Sequence, residues 1–135
     1  MSSRQSILFV CLHGSAKSLI AAEYFRRLTT ERGHVVDVTS MGVEPDAEVP
    51  ARVVAGLGAD GFDVAATVPR PLTDDALNAA DVVVSFGCDV DARRRSDATG
   101  RAVIRWDDVP AVSDGYETAR DEIVRRVVLL VNDLC

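Results

Sequence analysis

The first apolar run of the chain, Ser6 to Val10 (SILFV), is uninterrupted, which predicts a short strand buried on both faces. It breaks into the small, mostly polar stretch Cys11-Leu-His-Gly-Ser-Ala-Lys-Ser18. From Ser18 to about Arg32 the period changes. Leu19, Ala22, Tyr24 or Phe25, and Leu28 recur three and four apart, the stripe of an amphipathic helix, and Gly33 is placed to end it. Val35 to Met41 alternates as a strand does. Gly42 to Pro50 reads as loop, and Pro50 suits the first turn of a helix that runs to about Leu57, before Gly58 and Gly61. Val68-Pro-Arg-Pro-Leu-Thr73 predicts a stiff connector. Thr73 can cap a short helix over Asp74 to Ala79, whose early carboxylates suit the helix dipole. Asp81 to Phe86 is the next buried strand, Cys88 to Gly100 a polar surface loop, Ala102 to Trp106 a fourth strand and Asp107 to Gly115 another loop. The last helix, Tyr116 to Leu134, carries Ala119, Ile123, Val127, Leu130 and Val131 on one face.

This order, β-α-β-α-α-β-β-α, predicts an α/β fold of three layers: a four-stranded parallel sheet with helices on both faces. In such sheets ligands sit beyond the carboxyl ends of the strands, and the segment there after the first strand begins with Cys11. The 135 residues fit one domain spanning 1–135, without repeats or linkers.

Charge and cysteine usage narrow the function. The net charge of −6 argues against a nucleic-acid or anionic-membrane surface. Any anion site must then be built locally, from backbone N–H groups and one or two cations. No apolar run approaches the ~18 residues of a membrane span, and Met1 to Val10 lacks a signal peptide's pattern, so a cytosolic protein is expected. Three widely spaced cysteines, Cys11, Cys88 and Cys135, point to free thiols rather than a disulfide scaffold. With two histidines and no C-x-x-C, no zinc site is expected, and no cofactor.

A strand, a short Gly/Ser loop and a helix aim several N–H groups and a helix N-terminus at one point. Such a nest favours an oxyanion and equally a thiolate, so Cys11 is expected to be the nucleophile. The backbone of Leu12, His13, Gly14, Ser15, Ala16, Lys17 and Ser18 would hold the anion, with Gly14 making the turn and Lys17 adding a cation. Ser15 and Ser18 can donate to the thiolate or cap the helix. The G-x4-G-K-[ST] spacing of nucleotide phosphate loops is absent.

Val10-Cys11-Leu-His-Gly-Ser-Ala-Lys-Ser18, followed by Leu-Ile-Ala-Ala-Glu23, resembles the C-x5-R-S signature of the low-molecular-weight protein tyrosine phosphatases and the arsenate reductases of the same fold. Ser40-Met-Gly-Val-Glu-Pro45, Val68 to Thr73 and Trp106-Asp-Asp-Val-Pro110 resemble later blocks of that family, and Asp81 to Cys88 is most similar to the arsenate-reductase branch. The resemblance implies that Cys11 attacks arsenate or a phosphomonoester, that Ser18 stabilises its thiolate, and that Cys88 is a resolving thiol. A thioredoxin-like or small-thiol reductant would be the partner. In the phosphomonoesterase alternative, Asp107 or Asp108 would be the proton donor if the loop bends to bring it in.

Three positions depart from the pattern. Lys17 stands where the family has arginine, giving a point charge in place of a planar fork. Gly14 replaces an asparagine, and Ala111-Val112 falls where an Asp-Pro general acid belongs, a group typically worth ~10²–10⁴ in rate. The leading expectation is therefore arsenate-reductase-like chemistry. Phosphomonoester hydrolysis and a diverged anion- or partner-binding protein are the alternatives. Arg93, Arg94 and Arg95 read as a solvated loop, Cys135 as incidental, and Trp106 as core.

Overall fold

The structure, a computed structural model, describes residues 5–88, 90 and 103–134. Arg93 to Arg95, Cys135 and most of the loop expected over Cys88 to Gly100 lie outside the described residues. The elements are β1 (Gln5–Cys11), α1 (Lys17–Glu31), β2 (Val36–Gly42), α2 (Ala51–Ala59), α3 (Asp74–Ala79), β3 (Val82–Ser85), β4 (Ile104–Arg105) and α4 (Tyr116–Leu134). The four strands form one parallel sheet in the order β2-β1-β3-β4, as the alternation of strands and helices predicts.

Side-chain alternation along β1 divides the core. Ile7, Phe9 and Cys11 face the layer that holds α1, α2 and α4, and pack with Val82, Val84, Phe25, Val53, Leu57, Ile123 and Val127. Leu8 and Val10 face the other layer with Val83, Leu72 and Leu77 of α3. Both faces of β1 are thus covered, which is why its sequence runs apolar without a break. Phe9 meets Phe25 edge-on with ring centroids 5.7 Å apart, and Trp106 packs against Phe86 at 5.5 Å.

Local signals hold where they are local. Thr73 Oγ1 accepts from the Ala76 N–H at 3.1 Å and caps α3, and the five residues expected on the buried face of α4 are the buried ones. Among the described residues the fourth strand comprises Ile104 and Arg105, both paired with β3.

Helix α2 meets α4 at Gly56. A Cβ there would overlap Cε1 and Cζ of the Tyr116 ring, whose buried hydroxyl has no hydrogen-bond partner among the described residues. Burial pushes the Tyr116 phenol up to about 12, with Asp60 adding to the effect. Alanine would ordinarily strengthen a helix interior by ~1 kcal/mol over glycine. Here the overlap wins: Gly56→Ala is expected to lower unfolding stability in urea by ~1–3 kcal/mol. Adding Tyr116→Val to the same chain should remove most of that loss.

β1 is flanked by β2 on one side and β3 on the other, so the chain leaves its carboxyl end in one direction and later returns on the opposite side. That reversal opens a crevice at the end of β1, and Cys11 stands in it.

Candidate active site

The segment from Cys11 to Lys17 is held from below by β2 and the residues after it. Val43 N–H donates to the Cys11 carbonyl at 3.2 Å, Glu44 N–H to Leu12 at 2.7 Å, and Asp46 N–H to His13 at 3.1 Å. The loop's carbonyls are thereby engaged. The N–H groups of Leu12, His13, Ser15 and Ala16 donate to no acceptor among the described residues, the condition for an anion nest. Gly14 turns the chain with φ of +64°, in the left-handed region, and lies so near Gly42 that a Cβ would come within 2.6 Å of the Gly42 nitrogen. Glycine at this position is thus required by two constraints, conformation and close approach.

Cys11 is 6% exposed. Its Sγ receives the Gly14 N–H at 3.2 Å and lies 3.0 Å from Ser18 Oγ. Ser40 Oγ donates to Ser18 Oγ at 2.9 Å, which leaves the Ser18 proton for the sulfur. The chain Ser40–Ser18–Cys11 thus sets a hydroxyl donor against the sulfur. Ser15 does something else: its hydroxyl donates to Asp46 Oδ2 at 2.6 Å, and no side chain caps α1 at Ala16.

A cavity of about 720 Å³ opens over the loop. Cys11, Leu12, His13, Ser15, Ala16 and Lys17 form its floor, and Pro50, Val53, Phe86, Ala111 and Val112 give it an apolar wall. Lys17 lines it, but its Nζ donates to the Val109 carbonyl at 2.9 Å, so the ammonium bridges the loop and the segment after β4. Arg52 of α2 lines the cavity too, with Nη1 3.3 Å from the Val112 carbonyl.

The structure does not bring Asp108, Asp107 or Cys88 to this cavity. Asp108 sits on the surface at the α4 side, 80% exposed, and pairs with Arg126 at 2.8 Å. That hydrogen bond holds its carboxyl below the usual range, so it is ionised and has no proton to give. Asp107 instead accepts the Gly87 N–H at 3.0 Å. Cys88, a free thiol, is buried in the layer of α3, among Leu8, Val10 and Leu77, and does not line the cavity. Ser85 grips it from both sides, donating to its carbonyl at 2.6 Å and accepting its N–H at 3.0 Å. Burial pushes the Cys88 thiol up, and the nearby Cys11 and Asp107 add to that. The electrostatic contact with Cys11 follows from their strands: β1 and β3 are neighbours, and both cysteines lie at or just past the carboxyl ends.

Ser40, Asp46 and Arg52 escape sequence reasoning. Ser40 is a hydroxyl near the carboxyl end of β2, opposite Phe9; the sequence marks it as the first residue of the block Ser40 to Pro45 but assigns it no role. Asp46 and Arg52 reach the site through a loop and a helix with no motif of their own.

Comparison with known proteins identifies the family and the fold. The family model described as low molecular weight phosphotyrosine protein phosphatase matches residues 6–131. A curated Halobacterium salinarum protein, named "Putative arsenate reductase", is 30% identical over 134 residues, covering 93% of this chain and 89% of the relative. Among solved structures, the thioredoxin-dependent arsenate reductase of Corynebacterium glutamicum superposes with a TM-score of 0.80 at 26% identity, over 98% of this chain and 62% of that one. This chain thus spans about three-fifths of that protein. The low molecular weight protein tyrosine phosphatase of T. tengcongensis shares the fold, with a TM-score of 0.83 at 18% identity over 96% of this chain and 99% of that one. The chain belongs to the low molecular weight phosphotyrosine protein phosphatase family.

Proposed function

We propose that this protein is a cytosolic arsenate reductase in which Cys11 is the nucleophile and Cys88 the resolving thiol. The Cys11 thiolate attacks arsenate, an Sγ–As bond forms, and an As–O bond breaks with its oxygen leaving as water. A second thiolate then attacks Cys11 Sγ. The S–S bond forms, the As–S electron pair passes to arsenic, and arsenite departs as As(III). A thioredoxin-like protein or a small thiol reduces the disulfide. The observation that carries this reading is a second free thiol just past β3, next to the strand that ends in Cys11 and within its electrostatic reach. The resemblance to the Halobacterium and Corynebacterium proteins supports it. Because Cys88 is buried and held by Ser85, its segment must open before it attacks.

Arsenite formation with excess reduced thioredoxin tests the proposal. Cys88→Ser is expected to lower the multiple-turnover rate roughly tenfold or more, because an external thiol must replace an internal one. Single-turnover adduct formation at Cys11 should persist. Full turnover by Cys88→Ser would assign the second thiol to the partner.

A second reading has its own observation. The cavity is far larger than an inorganic oxyanion needs, and its wall is apolar, which suits the organic part of a phosphomonoester. A burst of nitrophenol from p-nitrophenyl phosphate without arsenite would favour it. Oxyanion protection of Cys11 with neither product would favour a binding protein.

A further inference from the structure

We infer that His13 is the proton donor to the departing oxygen and that Asp46 is its positioning partner, an inference that rests on the Cys11 displacement proposed above. Both residues line the cavity with Cys11 and Lys17, and Asp46 is the one carboxylate among the described residues that does so. His13 Nδ1 lies 3.1 Å from the Glu44 carbonyl oxygen. A carbonyl has no hydrogen to donate, so Nδ1 is the nitrogen that keeps its hydrogen. Nε2 is then the nitrogen outside that bond, the one open to proton exchange with a bound group.

Asp46 completes the arrangement. Its Oδ1 is 3.5 Å from His13 Nδ1, its Oδ2 accepts from Ser15 at 2.6 Å, and its N–H donates to the His13 carbonyl at 3.1 Å. The carboxylate is thus fixed by the loop itself, on the side of the ring away from Nε2. A base oriented by a carboxylate through its other nitrogen is the usual geometry of proton transfer in nucleophilic sites. The other charged groups of the cavity, Lys17 and Arg52, direct N–H groups at the Val109 and Val112 carbonyls. Asp108 is ionised on Arg126 and stands elsewhere.

The step balances simply. As the Sγ–As or Sγ–P bond forms, the bond to the leaving oxygen breaks with its electron pair on oxygen. The Nε2 proton joins that oxygen, which leaves as water or as an alcohol. The neutral ring then takes a proton from the next nucleophile to arrive.

His13→Asn tests this, since its amide keeps a donor for the Glu44 carbonyl but carries no transferable proton. The single-turnover rate of arsenite formation should fall ~10²-fold, while the arsenate concentration that protects Cys11 from alkylation stays unchanged. With aryl phosphates, the variant should lose far more rate on phenyl phosphate than on p-nitrophenyl phosphate, whose leaving group needs no proton. Asp46→Asn should lose less, and nothing further when added to His13→Asn. Rates equal to wild type, or rate and protection falling together, would overturn the assignment. A wild-type protein that yields neither arsenite nor phosphate would instead overturn the displacement itself, and this inference with it.

Discussion

Cys11→Ser is expected to lower turnover, read as arsenite or phosphate release, by roughly a thousandfold or more while leaving the fold intact. The reason is chemical rather than steric. Sulfur is a stronger nucleophile than a hydroxyl oxygen, which attacks only when a base takes its proton. The two donors that face Cys11 Sγ, Ser18 Oγ at 3.0 Å and Gly14 N–H at 3.2 Å, would serve a serine oxygen equally well. The hydroxyl would therefore be buried with partners, and unfolding stability should change by no more than about 1 kcal/mol. Thermal unfolding alongside the rate separates the two effects. Retention of turnover by the serine variant would remove Cys11 from the mechanism altogether.

The second large effect is expected at Gly42, which does not line the cavity. A Cβ there would stand 2.5 Å from the Gly14 nitrogen and 2.5 Å from the His13 carbonyl carbon. Both are backbone atoms, so no side chain can swing aside. Gly42→Ala must push the loop off β2, and a shift of that kind costs about 1–3 kcal/mol. It also displaces the N–H groups of the nest. Oxyanion protection of Cys11 should be lost along with stability. Protection that survives in Gly42→Ala would mean that the loop finds the same shape without resting on β2.

How much of this was legible in the sequence depends on how far each interaction reaches. Thr73 and the helix it caps, Asp74–Ala79, are three residues apart and read directly. The stripe of α4 and the unbroken apolar run of β1 are single-element patterns, and they place the layers correctly. Cys11 and its loop were legible because strand, loop and helix are contiguous. The rest is tertiary. Ser40, Asp46 and Arg52 enter the site from 22 to 35 residues beyond the loop residues Ser18 and Lys17, and no spacing rule links them. Asp108 looked like a candidate acid because it follows Trp106, but Arg126, one face of α4 away, decides where its carboxylate points. Cys88 was found as a residue but not as a location. Whether a side chain past a strand enters one layer or the other depends on the turn after Ser85, which the sequence does not reveal.

The three backbone bonds from Val43, Glu44 and Asp46 to the carbonyls of Cys11, Leu12 and His13 have a thermodynamic consequence. They immobilise the loop when the chain folds, so its conformational entropy is lost at that stage and not when ligand arrives. An oxyanion meeting this loop finds no chain left to order. Its affinity is limited by the water it must shed, and a dianion, hydrated most strongly, is the species for which that limit is steepest.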